Sequence, residues 1–303
     1  MKRRVTVLMG GASAEREVSL NSGRAAARAL EDAGFAVALV DVGRDPADLA
    51  AKVAASRPDV VFNALHGRFG EDGCVQGVLN LMGVPYTHSG LLASAAAMDK
   101  AFARTLFASA GIPVAEGRVV RKGECPGDPL PRPYVVKPIN EGSSVGVYIV
   151  RGDGASPLAA WPFEAAEVLV ESFIPGRELT AAVMGERALG VLEITSERGF
   201  YDYEAKYAPG GSRHLMPAPL PPADYDECCR LALLAHRTLG CRGVSRTDFR
   251  YDDTAATPRL VVLEVNTQPG MTATSLVPEI AGHAGISFPD LVRWMVENAA
   301  CDG

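Results

Sequence analysis

In the run LVVLEVNTQPGM, Glu264 and Asn266 stand two residues apart, so on a strand their side chains project from one face. Both carry oxygen donors. Asp248, in SRTDFR, adds a carboxylate, and the short connection Asp252 to Pro258 makes the two segments a candidate antiparallel pair. Two carboxylates and an amide oxygen suit magnesium, a hard cation that keeps some waters and completes its shell from phosphates; they do not suit zinc. The alternative is an exposed strand face with scattered acids. Against it, Leu260 to Val265 is otherwise apolar, which puts Glu264 where burial makes an unpaired charge costly. Arg246 shares the face of Asp248, either as a cation that neutralises oxygen charge developing in a reaction or as a structural ion-pair partner for Asp248 or Glu264.

The stretch KPINEGSSVGV, Lys137 to Val147, lies between two strand-like runs. Its glycines and serines, Ser143 and Ser144 among them, offer backbone N–H groups and hydroxyls that can wrap phosphate oxygens, with Lys137 as a point charge. It is also readable as an ordinary glycine-serine hairpin turn. Its spacing is neither GxxxxGK[ST] nor GxGxxG, which excludes the P-loop and dinucleotide readings. Lys100, in MDKAF at a helix start, is by itself a solvated lysine. Glu15, in GGASAEREVSL, is either a holder for an ammonium group or a first-turn acid favoured by the helix dipole. His66, in NALHGRFGEDG, is either an open-site residue or a satisfied loop histidine; its three neighbouring glycines favour the open site.

The elements that must position these residues follow from the patterning. Val5 to Met9, Phe35 to Asp41 and Asp59 to Leu65 read as strands, separated by helices over Leu20 to Ala33 and Ala47 to Arg57, with Gly34 and Pro58 as stops. This βαβαβ order predicts a parallel sheet whose carboxyl edge carries Glu15 and His66. A helix over Met98 to Ala110 and strands over Tyr134 to Lys137, Val147 to Val150 and Val168 to Glu171 predict a small α+β unit. Strands over Glu178 to Met184 and Ala188 to Ile194 follow, then a helix near Tyr225 to Leu239 and strands over Ser245 to Tyr251 and Leu260 to Asn266. Three units are expected, over 1–95, 96–179 and 180–303. The irregular, aromatic and charged segment Thr195 to Pro222 is read as a lid, since long structureless loops in compact domains are commonly functional.

Composition narrows the classes. The 303 residues are 48% hydrophobic and 22% charged with a formal net charge of -6, a globular balance with no electrostatic case for nucleic acid or an anionic membrane as partner. Six cysteines without CxxC or Cys/His ligand spacing read as free thiols in a reducing cytoplasm. The opening MKRRVTVLMGG reads as a first strand, its apolar run being too short for a signal peptide, and no stretch approaches the roughly 18 apolar residues of a membrane span.

Taken together, GGASAEREVSL, LHGRFGEDG, MDK, KPINEGSSVGV, YDYEAKY, RTDF and LEVNTQPGMTATSLVP resemble, in this order and at these separations, the D-alanine–D-alanine ligases of the ATP-grasp superfamily. The match runs from Gly10 to Pro278. The resemblance implies an α/β and α+β ATP-grasp architecture preceded by a parallel-sheet domain. It implies ATP between the central and carboxyl-terminal units, with phosphates near Lys100, Lys137 and Lys206 under the loop holding Ser143 and Ser144. Glu171, Phe173 and Ile174 would border adenine, and Glu178 would bind ribose hydroxyls. Asp248, Glu264 and Asn266 would hold magnesium, with manganese as a substitute. Glu15, Val18 and His66 would bind the first D-alanine and Ser275 the second, with Arg246 and the Gly270 backbone facing a tetrahedral oxyanion. Glu15, Ser143 and Tyr207 would form a hydrogen-bonded bridge to the lid. Tyr207 is tyrosine as in dipeptide-forming members; relatives that make D-alanyl-D-lactate carry phenylalanine there. Phe173 and Gln268 stand where members vary. The implied protein is a cytoplasmic homodimer that ligates two D-alanine molecules for peptidoglycan precursors.

Two rival readings remain at this level. Another ATP-dependent carboxylate–amine ligase would share the metal and nucleotide residues but not Glu15, His66, Tyr207 and Ser275. A non-enzymatic nucleotide-binding or sensing module would explain the first 95 residues but gives no reason for Asp248, Glu264 and Asn266 to assemble.

Overall fold

The computed structural model describes residues 2–125, 127–142, 145–195, 213–272 and 275–302. β1 (Arg4–Gly10), α1 (Arg16–Asp32), β2 (Ala36–Val42), α2 (Pro46–Ser56) and β3 (Val60–Asn63) form the expected βαβαβ start. The strands make a parallel sheet of order β2-β1-β3. Val5, Val7 and Leu8 of β1 and all four residues of β3 are buried, as parallel strands covered on both faces require. α2 starts where Asp45 accepts the Ala47 N–H at 2.9 Å with Pro46 at its first position, an ordinary N-cap arrangement.

α3 (Cys74–Met82), α4 (Leu91–Met98) and α5 (Lys100–Ser109) lead into a second sheet of β4 (Gly117–Arg121), β5 (Tyr134–Pro138), β6 (Tyr148–Val150) and β7 (Glu167–Ser172), with α6 (Pro157–Ala160) before β7. Its order is β4-β7-β5-β6 and every pairing is antiparallel. The third sheet, also antiparallel, has the order β10-β9-β8-β11-β12, from β8 (Arg177–Met184), β9 (Arg187–Thr195), β10 (Arg213–Leu215), β11 (Val244–Asp252) and β12 (Arg259–Asn266). α7 (Pro222–Thr238) lies between β10 and β11, and α8 (Leu276–His283) and α9 (Phe288–Glu297) follow β12.

The sequence reading misses β4, β10, α3, α4, α6, α8 and α9. These last two helices matter for assembly. Val277 and Ile280 of α8 and Leu291, Val292, Met295 and Val296 of α9 share one apolar core with Val7, Phe62, Ala26 and Leu30 of the parallel-sheet unit. Tyr86 bridges Val61 on one side and Ala300 on the other, so the chain end is woven onto the first sheet. Of the expected lid, 196–212 lie outside the described residues; 213–215 form β10, paired with β9.

Candidate active site

Residues from all parts of the chain line one cavity of about 490 Å³, among them Glu15, Val18, His66, Lys100, Arg246, Glu264, Asn266, Gly270 and Ser275. The floor comes from two strands. Burial alternates along β11, so Arg246, Asp248 and Arg250 share the less buried face while Thr247, Phe249 and Tyr251 are buried. The two strands pair antiparallel, as expected from the short connection, and their register sets Asp248 opposite Glu264 and Arg246 opposite Asn266. Arg246 grips Asp248 with two charge-assisted hydrogen bonds, 2.8 and 2.7 Å, and Thr180 donates to the same carboxylate at 2.7 Å. Both readings of Arg246 therefore meet in one geometry: it is paired with Asp248 and it lines the cavity.

The reading of Lys100 as a solvated lysine is corrected. Asp99 caps α5 by accepting the Phe102 N–H at 2.9 Å. Its neighbour Lys100 points inward, with Nζ 3.5 Å from Glu264 and donating to the Glu141 carbonyl at 2.5 Å, its side chain only 11% exposed.

Two hydroxyls stitch the loops that present Glu15 and His66. Ser19 accepts from the Gly10 N–H at 2.9 Å and donates to the Ala64 carbonyl at 2.7 Å. Ser13 donates to the His66 carbonyl at 2.7 Å and accepts from the Glu15 N–H at 3.2 Å. Gly67, at φ +67°, lies so close that a Cβ there would meet Glu15 Oε2 at 2.8 Å; a side chain would clash and strain the turn. His66 is buried, its Nε2 3.3 Å from the Ser22 hydroxyl. Burial lowers its pKa more than the nearby Glu15 charge raises it, so its ring is held toward the neutral form. Ser275 Oγ accepts the Thr272 N–H at 2.9 Å, and it lines the cavity with Gly270.

Sequence reasoning assigned no role to Glu71, although it lay within a motif already singled out. Its carboxyl accepts the Gly67 N–H at 3.1 Å and lines the cavity. Burial, followed by the neighbouring Glu15 charge, pushes it up to about 8. Glu71 therefore carries its proton at neutral pH. No spacing signal marks it, because the turn rather than a periodicity aims the side chain. Gln268, which stands where members of the resembled family vary, is buried and clasps two loops: it accepts from Asn63 Nδ2 at 2.7 Å and donates to the Leu65 carbonyl.

Other expected residues lie apart from this cavity. Lys137 and Arg104 both pair with Glu171 in a buried triad, Arg104 at 2.6 Å. Burial raises the Glu171 pKa, but the Lys137 and Arg104 charges outweigh it and hold the carboxyl below its ordinary value. Phe173 carries the Arg151 guanidinium 4.8 Å from its ring centroid. Ile174 is buried against Ala115 and Val261, and Glu178 pairs with Arg250 at 3.6 Å. Ser143, Ser144, Lys206 and Tyr207 lie outside the described residues.

A metal's fit can be judged from the donors. Among the described residues no three His, Cys, Asp or Glu side chains converge as a metal site. Two carboxylates and the Asn266 amide stand at paired or neighbouring positions of β11 and β12; this donor set is all oxygen and fits a hard divalent cation whose remaining ligands are phosphate and water.

A parallel-sheet unit followed by two antiparallel sheets, with a charged cavity between them, defines an ATP-grasp enzyme. The D-ala D-ala ligase C-terminus family matches residues 106–297 and its N-terminus family residues 44–89. The chain is similar to the D-alanine–D-alanine ligase of Paramagnetospirillum magneticum, 78% identical over 100% of both chains, and to that of Rhodospirillum rubrum, 59% identical over 100% of both. The crystal structure of the Bacillus anthracis D-alanine–D-alanine ligase complexed with ATP superposes with a TM-score of 0.82 at 29% identity, covering 98% of this chain and 97% of that one. The chain belongs to the D-alanine–D-alanine ligase family.

Proposed function

We infer that this chain joins two D-alanine molecules into D-alanyl-D-alanine, converting ATP to ADP and phosphate, for peptidoglycan precursor synthesis. The observation that carries the reading is that one cavity gathers an ammonium-binding carboxylate, Glu15, with Lys100, Arg246, Glu264 and Asn266. A carboxylate is a poor acyl donor to an amine. The first D-alanine carboxylate therefore takes the γ-phosphoryl group, giving an acyl phosphate and ADP; the second amine attacks its carbonyl, loses a proton, and phosphate leaves.

Phosphoryl transfer depends on positioning and charge neutralisation more than on a protein nucleophile. Glu15 holds the ammonium of the first amino acid beside the neutral His66 and the protonated Glu71. Lys100 reaches the transferring phosphoryl group, and Arg246, fixed by Asp248, faces the oxyanion of the second step with the Gly270 N–H. Ser275 and its neighbouring backbone take the second carboxylate. Asp248, Glu264 and Asn266 would hold magnesium, or manganese in its place, which supplies Lewis-acid neutralisation of phosphate charge. The nucleotide base and ribose lie toward Phe173, Ile174 and Glu178, and the Glu171 triad fixes Lys137 toward the phosphates, with Ser143, Ser144 and Lys206 as further phosphate partners and Tyr207 as a partner of Glu15.

The reading extends to a cytoplasmic homodimer. No helix of the described residues is long and apolar enough to cross a membrane, and Leu81 on α3, Leu92 on α4 and Phe102 on α5 are 92%, 74% and 50% exposed, apolar surface suited to a second copy. The deciding experiment is incubation with ATP, magnesium and each alanine enantiomer, with products identified by mass. D-alanyl-D-alanine and phosphate are expected from D-alanine; equal use of L-alanine would overturn the substrate assignment.

A further inference from the structure

The loop after β3 has two sides. On one, His66 and Glu71 line the substrate cavity. On the other, Arg68 and Phe69 line a second cavity of about 240 Å³, floored by Val42, Leu49, Leu65 and Val75, which are buried members of the apolar cluster under the parallel sheet. The volume falls below the roughly 300–1,000 Å³ that suits drug-sized ligands, so an occupant is small.

Its rim is cationic. The Arg44 and Arg68 guanidiniums lie 5.7 and 5.3 Å from the Phe69 ring centroid, and neither is in an ion pair among the described residues. The nearby carboxylates are committed to backbone groups: Asp45 accepts from the Ala47 N–H at 2.9 Å, and Asp72 from the Phe69 and Cys74 N–H groups at 2.8 and 3.1 Å. An apolar floor under two uncommitted guanidiniums is complementary to a compact apolar body bearing one carboxylate.

We propose that this cavity binds a small monocarboxylate with an apolar body, its carboxylate between Arg44 and Arg68, and that occupancy alters binding of the first amino acid through the shared loop. Coupling has a short physical route. Leu65, which floors the second cavity, lies under Gly11, whose Cβ would meet it at 3.4 Å. From there the loops are joined by the Ser13 hydroxyl on the His66 carbonyl and by the Gly67 N–H on Glu71. The coupling half of the proposal rests on reading the first cavity as the amino acid site; the binding half does not.

The test uses phenylacetate as probe and phenylacetamide as its neutral counterpart, titrated calorimetrically into the full chain. Phenylacetate is expected to bind at least tenfold more tightly than phenylacetamide. The preference should disappear in the Arg44→Ala/Arg68→Ala double variant, and all binding in Val78→Trp, which fills the cavity. In the D-alanine assay phenylacetate should change the KM for the first D-alanine at least threefold in the wild type and not in the double variant. Equal affinity for the two probes, or phenylacetate binding that survives both substitutions, overturns the site. Binding that follows these substitutions while KM stays constant overturns the coupling. A wild-type chain that does not turn over D-alanine would instead count against the proposed function, and the calorimetric result would stand by itself.

Discussion

Glu264 sits at the meeting point of the charges in the cavity, opposite Asp248 in register and 3.5 Å from Lys100. Replacing it with glutamine keeps the shape and one oxygen donor but removes the charge that Lys100 faces and that the proposed divalent cation would meet. Glu264→Gln should lower kcat by roughly 100-fold or more while denaturant unfolding stays cooperative; full activity would remove the metal role. Glu71 makes a different prediction. Burial and Glu15 raise it to about 8, so it is neutral below that pH and becomes a second negative charge beside Glu15 above it. The wild-type kcat/KM for the first D-alanine should therefore fall as pH rises through about 8. Glu71→Gln, a permanent mimic of the neutral acid, should stay within a few-fold of wild type at pH 7 and flatten that alkaline limb. An alkaline limb unchanged in the variant would assign it to another group. Glu264 could be found in the sequence because a lone acid in an apolar strand is conspicuous. Glu71 could not, because its neutrality comes from burial and a neighbouring charge that only the fold supplies.

At the level of elements, the strands were legible where apolar runs had clear period and punctuation. β1, β2 and β3 and the β11–β12 pair fall within a few residues of the expected positions. β4 was not legible: in GRVVR only Val120 is fully buried, so the short strand shows no apolar alternation. β10 has three residues, too few for any periodicity. The contact between the loop after β3 and the loop after β12 was hidden for another reason, since Asn63 and Gln268 are 205 positions apart and no local pattern reports such a clasp. Gln268→Ala would leave Asn63 Nδ2 with only the Gly70 carbonyl and the Leu65 carbonyl without its side-chain donor. Breaking buried hydrogen bonds in this way costs about 1–3 kcal/mol. Because the same loop carries His66, the KM for the first D-alanine should rise severalfold while kcat changes little. Urea denaturation and a KM-against-kcat split would check both halves; an unchanged KM would make the clasp purely structural.

Across the whole molecule the parallel sheet does not stand alone, since α8, α9 and part of the late sheet share its core. Two of the buried histidines bear on stability. His88 is 3% exposed with its ring edge-on to Phe62, and His236 is 1% exposed with Nδ1 2.7 Å from the Ser245 hydroxyl. Burial lowers His88 to about 3 and His236 to about 4. The unfolded chain, with histidines at their ordinary value near 6.5, binds more protons than the folded one between that value and the depressed pKa. Stability is thus complete above about pH 6.5 and is lost as pH falls toward about 4. At pH 5 each histidine should cost about 2 kcal/mol relative to pH 7, from roughly 1.4 kcal/mol per pH unit of linkage. Urea unfolding at the two pH values should therefore reveal a loss of several kcal/mol in the wild type. In His236→Gln, which retains an amide to meet Ser245, the loss between pH 7 and pH 5 should shrink by about 2 kcal/mol. An undiminished loss in that variant would trace acid lability to other groups, and with it the claim that His236 is sealed into the fold in its neutral form would fail.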